Sequence, residues 1–267
     1  MTHTRYPAVA GAFYPNEPQQ LRQLVHEYLE NSRVQPDPAQ RLKALIAPHA
    51  GYIYSGPVAG TCYRQLDSLD KSIRWKILLL GPAHRYPVRG VSICAYDEFA
   101  TPLGKVQVSQ VAKAMAAKLG FIPEADMQEH SLEVQLPFLQ EQLPDFEIIP
   151  IVIGQCPPDQ LAGFLLPYLD EQTLIVISTD LSHYFPYDKA VATDNITSAA
   201  IPALDFETMR HKGDACGIIG VVTCMHIAKQ LGWQGEFLEY RNSGDTAGPK
   251  DRVVGYGAYR FVEPAAA

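Results

Sequence analysis

Four short stretches of the chain are apolar almost without interruption: Leu42–Ala47, Trp75–Leu80, Phe146–Ile153 and Thr173–Ser178. A strand covered on one face alternates apolar and polar positions. A continuous apolar run of this length suits a strand covered on both faces, as in a parallel sheet. Between these runs, helix-like stretches are expected over Gly56–Leu66, Ser109–Leu119, His130–Leu143 and Pro158–Leu169. Gly120 is placed to close the second of them. Val253–Val262 reads as a last strand, of antiparallel sense. Strands alternating with helices predict an α/β fold, with a central, mostly parallel sheet and helices on both faces. Pro150, inside the third run, is disfavoured in a central strand, so that strand is expected at an edge or with a bulge.

No internal repeat or low-complexity segment divides the chain, and its prolines are scattered. The densest cluster, Val34–Pro38, separates an early helix from the first strand, and the tail Glu263–Ala267 reads as frayed. One domain is therefore expected over residues 1–267. Hydrophobic residues make up 47% and charged residues 19%, which excludes a disordered chain. The net charge of −7 argues against work on phosphate backbones, which needs a basic face, and against an anionic membrane surface. No apolar run approaches the roughly 20 residues that span a bilayer. Met1–Tyr14 has no apolar region of the secretion-signal kind. The cysteines number five, with no C-x-x-C pair. A disulfide framework or zinc ribbon is not expected, and a cytoplasmic location is. Cys62 and Cys94 read as core thiols.

The histidines form a pattern. The first strand runs into Pro48-His49-Ala50-Gly51, the second into Gly81-Pro82-Ala83-His84, and the fourth into Thr179-Asp180-Leu181-Ser182-His183. A lone histidine is more often satisfied by nearby backbone than functional. Three at equivalent strand ends shift the balance, because the carboxyl ends of parallel strands share one edge and ligands bind there. Cys216 is the best fourth candidate. It precedes an expected helix start, where a thiolate is favoured; a buried structural cysteine is the alternative.

Two further groupings carry weight. Glu129-His130-Ser131-Leu132-Glu133 reads as a helix start that lines Glu129, His130 and Glu133 on one face. Acidic residues at a helix start need no other explanation. His130 does, so these residues are expected to support a ligand or face a substrate. Asp180 either caps a following helix or orients an imidazole, and with His183 and Cys216 it would complete a Cys-His-Asp arrangement.

As a set, Ala47–Tyr52, Gly81–His84, Glu129–Glu133, Ser178–His183 and Cys216-Gly217 resemble the Memo family. Pro7–Pro15 is similar to the opening of its prokaryotic members, and the motifs keep the family's order along nearly the whole chain. The resemblance implies a fold similar to class III extradiol dioxygenases, which hold non-haem Fe(II) with two histidines and a carboxylate. It implies metal ligands at His49, His84 and Cys216, and a catalytic histidine at His183. A thiolate stands where those dioxygenases have a carboxylate, so ring cleavage does not carry over, and Fe(II) is favoured with copper or zinc as alternatives. Animal relatives are implicated in motility signalling, phosphotyrosine-peptide binding and metal-dependent redox chemistry. Prokaryotic members imply a functional link to a radical-SAM protein.

Three functions follow from these residues. The first is a metal-dependent redox enzyme, with His183 and Asp180 as acid/base pair and Tyr54, His130, Glu129 and Arg85 near the substrate. The second is a metal-independent Cys-His hydrolase with Cys216 as nucleophile. The third is a module that binds a peptide or phosphate over a vestigial site, with Arg85 and Arg89 as its cations.

Overall fold

The computed structural model describes residues 3–264. Strand β1 (Thr4–Arg5) and helix α1 (Pro18–Glu30) lead to β2 (Arg41–Ala47), α2 (Tyr52–Arg64) and β3 (Trp75–Pro82). Three short strands follow, β4 (Val91–Ile93), β5 (Glu98–Thr101) and β6 (Gly104–Val108), then α3 (Gln110–Leu119), α4 (Pro123–Met127) and α5 (Leu136–Gln142). Next come β7 (Phe146–Ile153), α6 (Pro158–Leu165), β8 (Thr173–Ser178) and β9 (His183–Phe185). The chain ends with α7 (Tyr187–Ala200), α8 (Phe206–Lys212), α9 (Ile218–Leu231), β10 (Gln234–Asn242) and β11 (Val253–Glu263).

The main sheet runs β1-β5-β6-β7-β3-β8-β2-β11-β10, with β4 added beside β7 and β9 beside β11. Its centre, β6-β7-β3-β8-β2, is parallel throughout. Successive residues of a strand point to opposite faces. All six residues of β8 and all of β2 after Arg41 are buried, so both faces are covered, as the unbroken apolar runs required. Helix α2 packs on β2, β10 and β11, and α9 packs on β3 and β8. The fold is thus the α/β arrangement expected, and β11 is antiparallel to β2. No helix among the described residues is long and apolar enough to cross a membrane.

Several expectations need correction. Pro150 marks neither an edge nor a bulge: β7 is internal, and its register with β3 passes through Leu79–Pro150 without a shift. The proline is tolerated because the neighbour on its other side changes there. Val108 of β6 pairs with Ile148, and β4, antiparallel, ends opposite Ile151. The Pro150 carbonyl accepts from Cys94 N–H on that same side, so the missing N–H faces the gap between two strands. The helix expected over His130–Leu143 starts later. Residues 129 and 130 are irregular, 131 and 132 form a turn, and Glu133–Gln135 is a single tight turn before α5. Helix α2 begins at Tyr52, a turn before the expected Gly56, and carries Pro57 inside it. No helix follows β8 for Asp180 to cap; the chain passes directly into β9. Glu263 is the last residue of β11 and pairs with Arg41 and Lys43, and 265–267 lie outside the described residues.

One glycine fixes how α9 meets the sheet. A Cβ at Gly217 would stand 2.7 Å from the Ser178 carbonyl oxygen, which is backbone and cannot swing aside. Gly163, on the exposed side of α6, has nothing within 4 Å. Gly217→Ala should therefore destabilise by about 1–3 kcal/mol through overpacking. Gly163→Ala should stabilise by about 0.5–1 kcal/mol through helix propensity. Urea midpoints of the two variants, moving in opposite directions from the parent, check the pair.

Candidate metal centre

Strands β3, β8 and β2 are adjacent and parallel, so the loops that follow them lie side by side. They carry His84, the Asp180–His183 segment and His49. His130 reaches the same place from the turn before α5. The His49 and His84 ring centroids are 5.0 Å apart, His49 and His130 5.4 Å, and His84 and His130 4.7 Å. One ring nitrogen from each lies within 4.8 Å of the others, so the three could hold a metal ion. Cys216, just before α9, places Sγ 3.2 Å from His49 Nε2.

The protons at this cluster can be counted. Ser178 Oγ donates to the Ser131 carbonyl at 2.5 Å, and a hydroxyl has one proton to give. The same oxygen is 2.8 Å from Gln135 Nε2 and 2.8 Å from His49 Nδ1. The Gln135 amide is oriented by Tyr63, whose hydroxyl donates to Oε1, and by the Pro48 carbonyl, which accepts from Nε2. Ser178 Oγ must then accept from both, so His49 carries its proton on Nδ1 and turns a bare Nε2 toward Cys216. His84 is arranged alike. Its Nδ1 lies 2.9 Å from Glu129 Oε1, so in the neutral ring the proton sits on Nδ1 and Nε2 is bare. A carboxylate or hydroxyl behind the distal nitrogen is the usual support of a metal-binding imidazole.

Electrostatics agree. Burial, then the neighbouring imidazoles, hold His49 well below the ordinary histidine range. Burial takes His130 down to about 4. Neutral imidazole is the ligand form. His130 Nδ1 is buried and has no hydrogen-bond partner, although Glu129 Oε1 is 3.3 Å away. Burial opposes ionisation of Glu129, but His84 and the N–H groups of His84, His130 and Ser131 all donate to it and bring it down to about 2. Burial, then the charge of Asp180, pushes Cys216 up to about 12. This corrects the expectation of a thiolate favoured by the helix start: N–H donors are present, but burial outweighs them. The three imidazoles form a donor set that could hold a metal cation; Cys216 touches His49 but lies outside that group and off the wall of their pocket.

The other predicted residues fall as follows. His183 and Tyr54 line the same pocket as the three imidazoles, a cavity of about 590 Å³. Asp180 lines it too, but its carboxylate accepts from His49 N–H at 2.7 Å, and no hydrogen bond joins it to His183 among the described residues. Burial raises Asp180 to about 6. Glu129 and Glu133 do not share a helical face. Glu129 sits beneath His84, whereas Glu133 accepts from Arg5, Ala8 N–H, Val9 N–H and Tyr14. Arg85 is exposed and outside the pocket wall. Cys62 and Cys94 are core, as expected. Ser178, Gln135, Tyr63 and Arg252 were not singled out. Ser178 carried one signal, its place at the end of a buried strand; the others carried none.

Residues 5–260 match the Memo family, described as Memo-like protein. A MEMO1 family protein of Sulfolobus acidocaldarius is 38% identical, over 96% of this chain and 99% of the relative. Another, from Aquifex aeolicus, is 36% identical over 94% and 97%. The chain belongs to the Memo family.

The depressed Glu129 carboxyl makes a pH prediction. Its folded value, about 2, lies below the ordinary 4.5, so its contribution is present above the ordinary value and fades as pH falls toward 2. At about 1.4 kcal/mol per unit, this amounts to roughly 3 kcal/mol at neutral pH. Urea midpoints taken from pH 7 to pH 3 should fall more steeply for the parent than for Glu129→Gln. Ser178→Ala strands the His49 Nδ1–H and Gln135 donors and should cost about 2 kcal/mol in the same assay.

Proposed function

We propose that the chain is a metal-dependent redox enzyme, its metal held by His49, His84 and Cys216, with His130 beside the open position. The observation that carries this reading is the proton count at Ser178 and Glu129. Both distal nitrogens are engaged, both Nε2 atoms are bare, and the thiol sits 3.2 Å from one of them. A mixed imidazole and thiolate set suits iron, copper or zinc, with Fe(II) favoured on the family resemblance. When bound, such a metal supplies Lewis acidity and, for iron or copper, electron transfer.

The chain's own residues do the rest. Asp180 holds the His49 backbone, and Glu129 fixes the His84 ring. His183, on the pocket wall, is placed to give or take a proton from a substrate beside the imidazoles. Phe13, 4.9 Å from the His130 ring, closes one side against water. The hydrolase reading is the weaker one. A buried thiol pushed up to about 12 is a poor nucleophile, and only a cation beside it would favour the thiolate.

Elemental analysis of untagged protein should give about one metal ion per chain, lost in His49→Ala and in Cys216→Ala. Protein loaded with Fe(II) anaerobically should then consume oxygen when candidate phenols are added. Equal metal content in the parent and both variants would overturn the assignment.

A further inference from the structure

The pocket that holds the imidazoles has one feature that the metal centre does not use. Among its lining residues there is a single Lys or Arg, Arg252, and a single carboxylate, Asp180, which is committed to His49. Arg252 is exposed and pairs with no carboxylate among the described residues. Its guanidinium instead lies over the Tyr184 ring, 5.1 Å from the centroid. Arg5, Arg22, Arg41, Arg74 and Arg260 have acidic partners, whereas Arg85, Arg89, Arg210 and Arg252 have none among the described residues, and of these four Arg252 alone lines this pocket.

The backbone has been bent to place it there. Tyr184 has φ of 62°, a left-handed conformation that is strained for a side chain of this size. On the facing strand, the pairing of β11 with β9 shifts register between Val253 and Val254. Such an irregularity re-aims a side chain. Two adjacent departures from regular geometry thus bring the Tyr184 ring and the Arg252 fork together at the pocket wall, next to His183. The cation–π contact with the ring holds the fork at the wall, and its N–H groups, with no carboxylate partner among the described residues, are open to an oxyanion.

We infer that Arg252 is a specificity-determining residue that pairs an oxyanion, carboxylate or phosphate, on the molecule this pocket accepts. This rests on reading the same pocket as the substrate site. The cavity, about 590 Å³, suits a compact molecule. Its body lies among Phe13, Tyr54 and Tyr256, and its charge meets Arg252.

Calorimetric titration of the full-length protein as purified, at pH 7.5 and low salt, tests this with benzoate, phenyl phosphate and neutral benzamide. One anion should bind at least about tenfold tighter than benzamide, the range of one exposed charge-assisted pair. The tighter of benzoate and phenyl phosphate identifies the oxyanion as carboxylate or phosphate. Arg252→Gln should lose that preference, weakening the anion about tenfold and leaving benzamide unchanged, and Arg252→Lys should keep part of it. Equal affinities in the parent, an undiminished preference in Arg252→Gln, or no binding of any probe would overturn the inference. His49→Ala separates the two readings. It should lose metal yet keep the anion preference, so failure of the metal assignment leaves this result standing, and the reverse.

Discussion

A single hydroxyl proton governs the chemistry of the pocket. Ser178 gives it to the Ser131 carbonyl, so the serine oxygen can only accept from His49 and Gln135. The histidine tautomer follows without further assumption, and so does the direction of its lone pair. Every member of this relay is buried, and its partners come from β8, α2 and the turn before α5. A fully satisfied buried network of this kind is costly to disturb at any one point, and it holds a ring in one orientation. The imidazole is thus specified from behind by atoms that never face the pocket.

His84 depends on a second support, which reaches further. Glu129 accepts from four N–H groups, three of them backbone, so its turn cannot move without moving the His84 ring. That turn is tied to the start of the chain. Arg5 donates to the carbonyls of Asp126 and Glu129 and pairs with Glu133. Glu133 in turn takes the N–H groups of Ala8 and Val9 and the Tyr14 hydroxyl. An unpaired buried charge on either partner would be strongly destabilising, so this ion pair acts as a clasp. Through it the N-terminal segment, which contributes Ala12 and Phe13 to the pocket wall, is held to the turn that carries His130.

These two supports explain what was legible in the sequence. The strands β2, β3, β7 and β8 matched their apolar runs within two residues, because burial on both faces leaves an unbroken signal. His49, His84 and His183 were legible as strand-end residues, since a parallel sheet delivers strand ends to one edge. The turn at 129–132 was not. Its residues alternate like a helix start, but Glu129 takes the local N–H groups and Ser178 takes the Ser131 carbonyl, so long-range contacts override the local pattern. The short strands β4, β5 and β9 are too brief to show a period. Gln135, Tyr63 and Arg252 escaped for a simpler reason: what they do depends on partners 43, 72 and 68 positions away, at Ser178, Gln135 and Tyr184, and no local pattern encodes those partners.

The thiol and the imidazole share one buried space. With Nδ1 donating to Ser178, His49 Nε2 can only accept, and it is the nearer of two acceptors for the Cys216 S–H, at 3.2 Å against 3.6 Å for the Asp180 carbonyl. The Asp180 N–H meanwhile donates to the sulfur at 3.2 Å. The two atoms proposed as ligands are therefore in hydrogen-bond contact with each other. Burial, then the charge of Asp180, keeps the proton on sulfur. A positive charge between the two atoms reverses every one of these terms: it favours the thiolate, it uses the bare lone pair, and it compensates the buried carboxylates. On the proposed assignment, metal binding and proton release at Cys216 would be one event.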